Sequence, residues 1–225
     1  MTEESNIDNA LLEKFEKEIL SLVPHREENG GKVKIVNPTP LTDLTDDLRE
    51  CAKTVYDVDL SEKDFKIYGK FDCRLLTGSI KVRPAINIIH DAITTGKIKT
   101  GTTVIEATSG NFGIALGLLS KIGITAIALV SRKLQEGVFK ELRNGNIRIM
   151  DLDMDICPAP GMEDKQDTLL AKATAANIRS QLIELGFEPE IYDNNIADIE
   201  TLLAKKDIIN LAKFLAKIYN CFCPE

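Results

Sequence analysis

The amino-acid sequence predicts an α/β fold in which a parallel sheet is flanked by helices. Apolar segments with strand character alternate with segments of helical periodicity through the middle of the chain, and the segment 124–130 is apolar except for Thr125. Such strands are typical of a sheet covered on both faces, and helices of about ten residues or more are long enough to connect parallel strands. The predicted strands here are 102–106, 124–130 and 147–152, and the predicted helices are 79–95, 111–122 and 134–143.

The segments on either side of this region are less regular. Apolar residues at helical spacing predict a helix over 9–22, and the glycine-containing stretch 27–31 predicts a turn. The remaining predicted elements are strands at 33–36, 65–71 and 190–192, helices at 45–56, 163–185 and 206–219, and a proline-containing loop at 157–161.

Length and composition limit the classes of protein. The chain has 225 residues with 44% hydrophobic content, enough for one large domain or two small ones. Its formal charge is -7, and the basic residues are scattered, which argues against a nucleic-acid partner. No apolar run approaches the roughly 20 residues that span a bilayer, and the polar N-terminus does not resemble a secretory signal. These features predict a cytoplasmic protein without a membrane partner.

Cysteine and histidine usage does not indicate a metal site. The five cysteines form no CxxC pair, and only two histidines are present. Neither zinc ligation nor a disulfide framework is therefore expected. His90 falls on the helix predicted after Lys81, where a packing role is expected more often than a catalytic one.

The segment Thr77–Ala85, with the sequence TGSIKVRPA, places Lys81 in the first turn of a predicted helix. The positive end of the helix dipole and the neighbouring Arg83 both disfavour an ammonium group there. The free amine is the form that reacts with an aldehyde cofactor. On spacing alone, an ordinary capped helix start explains the same pattern.

A second informative segment, EATSGNFG at 106–113, follows a predicted strand and opens a helix. Such a turn offers free N–H groups and hydroxyls to an anion at the carboxyl end of a parallel strand. It matches neither GxGxxG nor a Walker motif, so nucleotide binding is poorly supported. By itself the loop indicates either a small-anion site or tight packing of helix on strand.

Together and in this order, the two loops resemble those of the fold-type II pyridoxal-phosphate (PLP) enzymes, in the group of cysteine synthase and cystathionine β-synthase. TGSIKVRPA is similar to the family's PTGSxKDRxA loop, and TSGNFG at 108–113 is similar to its TSGNTG loop. NPTPL at 37–41 resembles the family's NTPL segment. The similarity runs from about residue 33 to residue 151, and the expected fold is that of the tryptophan synthase β-like enzymes.

The resemblance implies PLP as cofactor and a role for each matching residue. Lys81 would form the imine with the cofactor and later move the α-proton of the substrate. Asn111 would bind the cofactor's 3-oxygen and, with Thr108, Ser109, Gly110 and Phe112, the amino-acid substrate. A carboxylate fixed by N–H donors would orient the Cα–H bond toward Lys81.

Two positions depart from the family pattern, and one family feature is absent. Val82 replaces an aspartate in the lysine loop, and Phe112 replaces a threonine in the substrate loop, which suggests a subfamily with another donor or acceptor. After Gly186 the sequence has no glycine from which to build a phosphate-binding loop. The chain is therefore expected to be the N-terminal two thirds of a longer enzyme. Residues 1–32 would be a helical extension, and 33–225 part of the catalytic region, with a small-domain core at about 80–152.

The expected reaction is β-replacement on an O-activated L-serine, carried out by a full-length enzyme that forms a homodimer. One alternative is a serine or threonine dehydratase on the same fold. Another is a truncated module that binds an amino acid or a partner without chemistry. A nucleotide-binding Rossmann protein is the weakest alternative because the glycine fingerprint is missing.

Overall fold

The computed structural model describes residues 7–28, 32–36, 38–131, 134–152 and 168–224. Its centre is a three-stranded parallel sheet with the strand order β5–β6–β7. The strands are β1 His25–Glu28, β2 Lys32–Ile35, β3 Leu41–Asp43, β4 Tyr68–Lys70, β5 Thr103–Ala107, β6 Thr125–Val130 and β7 Arg148–Asp151.

Helices cover both faces of this sheet. The α-helices are α1 Asn9–Glu18, α2 Thr45–Tyr56, α3 Val82–Thr94, α4 Asn111–Leu116, α5 Glu136–Asn144, α6 Thr168–Glu184, α7 Pro189–Asp193, α8 Ile196–Ala204 and α9 Ile208–Ile218. Short 3-10 helices lie at Leu20–Leu22, Asp72–Arg74 and Gly117–Ile122.

Side chains alternate between two hydrophobic cores along each central strand. Val104 of β5 and Ala128 of β6 belong to the core under α1, α3 and α4. Ile105 and Leu129, their neighbours in sequence, belong to the core under α6, α8 and α9. A strand turns successive side chains to opposite faces, so both faces must be apolar when both are covered. The predicted parallel sheet flanked by helices is confirmed.

The N-terminal helix is tied into this central unit. The Asp8 carboxylate accepts a hydrogen bond from the Leu11 N–H at 3.0 Å, which caps α1. It also accepts from the Thr100 N–H at 2.8 Å and the Thr100 hydroxyl at 2.7 Å, just before β5. These bonds hold the pKa of Asp8 down at about 2. Phe15 of α1 is 1% exposed in the core beneath α3.

Two small antiparallel ribbons lie outside the central sheet. β1 pairs with β2, so residues on both sides of the predicted domain boundary at 32 share one hairpin. β3 pairs with β4, and α2 lies between them in sequence. The turn predicted over 27–31 differs from the structure, since residues 25–28 are a strand; residues 29–31 lie outside the described part.

The segment after β7 departs most from the predicted secondary structure. The strand predicted at 190–192 is wrong, because Pro189 occupies the first turn of α7 and its fixed φ favours a helix start. α8 lies in a stretch for which no element is predicted. The loop at 157–161, with Cys157, and residues 163–167 of a predicted helix lie outside the described residues.

The last described residues join the central sheet. Phe222 forms a parallel bridge with Val104, its N–H donates to Thr103 O at 2.9 Å, and its carbonyl accepts from the Ile105 N–H at 2.8 Å. The edge of β5 is therefore partly covered by a segment about 117 residues away, as the Cys223–Glu106 contact also shows. Among the described residues, no helix combines the length and apolar character that crossing a membrane requires.

Candidate functional site

The two loops singled out by the sequence lie beside one cleft. Thr77 and Gly78, from the loop before Lys81, line one wall together with Asn111, the first residue of α4. Most of the rest of the lining comes from α5 and the residues at its two ends, which we call the α5 wall. The cleft has a volume of about 670 Å³. The Lys81 side chain is exposed and is not among the residues that line it.

The buried Thr108 hydroxyl fixes the backbone of the loop at 106–113, the Thr108 loop, by hydrogen bonds. Thr108 is 5% exposed, and its oxygen accepts hydrogen bonds from the N–H groups of Gly110 and Gly113, each at 3.1 Å. Its own N–H donates to Leu129 O on β6 at 3.0 Å. Thr108 therefore shapes the loop, and its direct contact with a substrate stays a prediction.

Three backbone N–H groups on the same loop, those of Ser109, Asn111 and Phe112, are without a hydrogen-bond acceptor in the described chain. Ser109 and Asn111 are exposed, so a ligand can reach them. Unpaired N–H groups at a strand-to-helix turn favour a carboxylate or another small anion.

Glycines let α5 approach this loop closely. A Cβ at Gly110, whose φ is 132°, would lie 2.6 Å from Val138 Cγ1. At the far end of α4, a Cβ at Gly117 would lie 3.0 Å from the Gly145 Cα. These separations leave no room for side chains, so the α5 wall is fixed relative to Asn111.

The lysine loop is held mostly by short-range bonds. The Gly78 N–H donates to Leu75 O at 2.8 Å, and the Lys81 N–H donates to the Ser79 hydroxyl at 3.3 Å. Gly78 has a φ of 69°, a conformation that favours glycine. Lys81 lies immediately before the first residue of α3 rather than inside its first turn, which corrects the predicted helix start at residue 79.

The segment that resembles NTPL packs close to the lysine loop. The Thr39 hydroxyl donates to the Asp72 carboxylate at 2.7 Å, and Thr39 is 7% exposed. The Phe71 N–H donates to Pro40 O at 3.0 Å. Asn37, the first residue of the segment, lies outside the described residues.

The two departures from the family pattern are both core positions. Val82, the first residue of α3, is fully buried. Phe112 is half-buried and packs against the same core, and it is not among the residues lining the cleft. Each replacement of a polar residue by an apolar one is therefore accommodated by packing.

An acidic group with a perturbed pKa lies on β5, two residues before Thr108. Burial raises the pKa of Glu106 to about 7, and the positive charge of Lys213 lowers it slightly against that effect. Glu106 Oε2 lies 4.0 Å from Cys223 Sγ. Burial lowers the pKa of His90, which packs 5.8 Å from the Phe15 ring, in keeping with the structural role predicted for this residue.

The α5 wall contains residues that the sequence did not identify: Gln135, Gly137, Glu141 and Asn144. A signal was available, since α5 follows β6 just as α4 follows β5. The carboxyl ends of neighbouring parallel strands meet at one edge of a sheet, so the loop after β6 also reaches the site.

A family model described as "Pyridoxal-phosphate dependent enzyme" matches residues 37–192 of this chain. The match contains both loops of the cleft, Lys81 and Asn111. The chain belongs to this family. The resemblance to PLP enzymes and the dependence of the family on this cofactor are thereby confirmed.

Curated relatives of this PLP family match shorter segments. A cysteine synthase of Aquifex aeolicus is 38% identical over 96 residues, which cover 43% of this chain and 27% of that protein. An O-acetylserine dependent cystathionine beta-synthase of Bacillus subtilis is 45% identical over 65 residues, covering 28% and 21%. An N-(2-amino-2-carboxyethyl)-L-glutamate synthase of Ralstonia nicotianae is 38% identical over 79 residues, covering 35% and 23%. This chain thus matches only about a quarter of the length of each relative.

Two solved structures align with parts of this chain. O-ureido-L-serine synthase aligns at 18% identity and a TM-score of 0.41, covering 65% of this chain and 47% of that one. A hydrogen sulfide-producing enzyme from Fusobacterium nucleatum aligns at 33% identity and a TM-score of 0.35, covering 37% and 25%.

The polar groups at the cleft, together with Lys81 from the loop beside it, have the chemistry that PLP requires. Lys81 offers an exposed amine, and Asn111 offers an exposed amide. The Thr77 hydroxyl oxygen is buried without a hydrogen-bond partner in the described chain, so this wall retains an unsatisfied polar group. An orphaned hydroxyl and unpaired N–H groups beside an accessible amine are what a polar, carboxylate-bearing ligand requires.

Proposed function

We propose that this chain provides the lysine and the substrate-carboxylate loop of a PLP-dependent enzyme that acts by β-replacement on an O-activated L-serine. In the overall reaction the Cβ–O bond breaks and a bond from Cβ to the nucleophile forms. The leaving group departs with the proton that the nucleophile loses. The observation that carries the proposal is the set of unpaired N–H groups of Ser109, Asn111 and Phe112, on the loop that adjoins the Lys81 loop at one cleft.

Each residue has a specific task in this proposal. The N–H groups of Ser109, Asn111 and Phe112 hold the substrate carboxylate, with Gly110 allowing the turn and Thr108 holding its shape. Asn111 also binds the cofactor oxygen beside the aldehyde. Lys81 attaches the cofactor and then takes the proton from the substrate's Cα. When bound, PLP supplies a sink for the electrons left on that carbon.

The relatives support this reaction through the activities that their names state. A cysteine synthase and an O-acetylserine dependent cystathionine beta-synthase both match this chain at 38–45% identity over their aligned segments. The substrate is then a small amino-acid derivative. We further propose that the full-length enzyme is a cytoplasmic homodimer.

The test is a PLP titration of the purified chain. A lysine–PLP adduct should appear as an absorbance band, and borohydride reduction followed by peptide mapping should place the adduct on Lys81. Lys81→Ala should abolish the band, while Lys97→Ala, which removes another exposed lysine, should preserve it. A band that survives Lys81→Ala would contradict the assignment.

Product analysis separates the possible reactions. O-acetylserine and a nucleophile should yield a β-substituted alanine. Release of a 2-oxo acid and ammonia from serine or threonine would instead identify a dehydratase. A protein that binds serine without an adduct at Lys81 would be a non-catalytic module.

A further inference from the structure

The polar side chains of the α5 wall differ in kind from the N–H groups of the Thr108 loop. They are one carboxylate and two amides, from Glu141, Gln135 and Asn144. The described lining contains no Lys or Arg side chain. A negative charge among hydrogen-bonding amides attracts a cation or a neutral polar group and repels an anion.

This wall is also in a fixed position. Val138 is packed against Gly110, and Gly145 is packed against Gly117. Gln135 and Gly137, the cleft-lining residues nearest to Val138 in sequence, are therefore held close to the Thr108 loop. A rigid wall suits selective binding, because little ordering is needed when a ligand enters.

The cleft is open at Gly137. A Cβ built at this position has no heavy atom within 4 Å. Gly137 lines the cleft and is exposed, and its backbone has no positive φ, so a side chain there would be accommodated without strain. The absence of a side chain keeps this space free for a ligand.

We infer that the α5 wall binds the second substrate of the proposed reaction, and that this substrate carries an amine rather than a negative charge. The inference rests on the proposed function for the meaning of "second substrate", but the binding itself does not require PLP. A carboxylate at residue 141 disfavours anionic nucleophiles such as hydrosulfide, so it would direct this enzyme toward nitrogen nucleophiles.

The test uses two four-carbon probes of opposite charge, 1,4-diaminobutane and succinate, added to the isotope-labelled 225-residue chain at constant ionic strength. Succinate should shift the backbone amide signals of Ser109, Asn111 and Phe112, which we propose bind a carboxylate. The signals of Gly137 and Gly145 should shift more with diaminobutane than with succinate. Equal shifts of Gly137 and Gly145 with the two probes, or diaminobutane shifts confined to residues outside the cleft, would overturn the inference.

Two variants that each neutralise one glutamate test the role of Glu141. Glu141→Gln should weaken diaminobutane binding by about two- to fivefold, as expected for a partly solvated charge. Glu136→Gln makes the same change on the same helix outside the cleft and should leave the dissociation constant unchanged. Equal effects of the two variants would contradict a specific site.

A blocking variant tests the location. Gly137→Leu should abolish the diaminobutane-dependent shifts, whereas Lys140→Leu, also exposed on α5 but not lining the cleft, should preserve them. Circular dichroism melting checks that both variants fold. If diaminobutane still binds Gly137→Leu at the wild-type affinity, the site lies elsewhere.

The two proposals fail separately. If the Lys81 adduct is absent but diaminobutane still maps to α5, the wall is an amine-binding site without the proposed chemistry. If the adduct forms but diaminobutane does not bind, the inference about the second substrate is wrong and the proposed function stands.

Discussion

The loop around Thr108 has a buried centre and is fixed by contacts with β6 and α5, whereas the loop that carries Lys81 is more exposed and is fixed mainly by bonds among its own residues. Thr108 contacts β6 through its N–H, and Gly110 receives Val138 of α5. In the other loop, Ser79 bonds Lys81 two residues away, and Gly78 has no heavy atom within 4 Å of a Cβ position.

The difference matches the tasks that we propose for the two loops. A carboxylate binder gains from donors that are already in place, since no ordering is then needed when the substrate arrives. A lysine that must bond to a cofactor and then move a proton needs freedom at its side chain. Substitutions in the buried loop should therefore affect stability far more than those in the exposed loop.

The largest expected loss of stability comes from Gly110→Ala in the Thr108 loop, and Gly78→Ala adds the same methyl group to the Lys81 loop for comparison. Gly110→Ala places a Cβ 2.6 Å from Val138 Cγ1 at a φ of 132°, so the free energy of unfolding should fall by about 2–4 kcal/mol. Gly78→Ala meets no neighbour and should lose about 1 kcal/mol for its positive φ alone. Urea denaturation measures both.

A second substitution separates the two causes of the loss at Gly110, which are overcrowding by Val138 and the positive φ. Val138→Ala, added to Gly110→Ala, should recover the part of the loss that comes from overcrowding, and a double-mutant cycle gives the coupling. If Gly78→Ala were as destabilising as Gly110→Ala, the contrast between the loops would be wrong.

Removing the buried hydroxyl of Thr108 should have the next largest effect. Thr108→Val keeps the shape of the side chain but leaves the N–H groups of Gly110 and Gly113 without an acceptor. The free energy of unfolding should fall by about 2 kcal/mol, the usual cost of unpaired buried donors. Thr108→Ser retains the acceptor and should remain within about 1 kcal/mol of the wild type by the same measurement. A larger loss in the serine variant would assign the effect to methyl packing instead.

Glu106 should make the buried side of the site sensitive to pH. Its folded-state pKa of about 7 lies above its ordinary value of 4.5, so the folded form binds the proton more tightly. The stabilisation is complete below about pH 4.5 and is lost as the pH rises through 7. Because Glu106 is partly solvated, we expect a loss of about 1–2 kcal/mol, below the full linkage value.

Glu106→Gln should remove this pH dependence. Unfolding experiments at pH 5 and pH 8 should give a smaller difference for Glu106→Gln than for the wild type. Glu50→Gln changes an exposed carboxylate and should retain the wild-type difference. A wild-type chain that is more stable at pH 8 than at pH 5 would reverse the expected sign.

The central sheet could be predicted because its information is local. The segment at 124–130 is apolar on both faces, and strands and helices alternate around it, so the parallel arrangement followed without long-range contacts. The strand predicted at 190–192 failed because Ile191 and Tyr192 favour strands in isolation, while Pro189 and the packing of Tyr192 against α6 favour a helix. Short apolar segments carry too little periodicity to resolve such a conflict.

The candidate site could be predicted only where its residues lie in local sequence motifs. Lys81 and Asn111 lie in motifs that a reader of the sequence can recognise. Glu141 and Gly137 become site residues only through the close approach of α5 to α4, which depends on contacts between Gly110 and Val138 that are distant in sequence. The pairing of Phe222 with β5 is likewise a long-range contact without a local signal.

The smallest expected effect tests the exposed side of the comparison. Ser79→Ala removes the hydroxyl that accepts from the Lys81 N–H at 3.3 Å. Water can replace this acceptor at an exposed position, so the free energy of unfolding should change by less than about 0.5 kcal/mol in urea denaturation. A loss above 1 kcal/mol, comparable to that of Thr108→Val, would mean that Ser79 fixes its loop as firmly as Thr108 does. The freedom that we assign to the lysine would then have to come from its side chain alone.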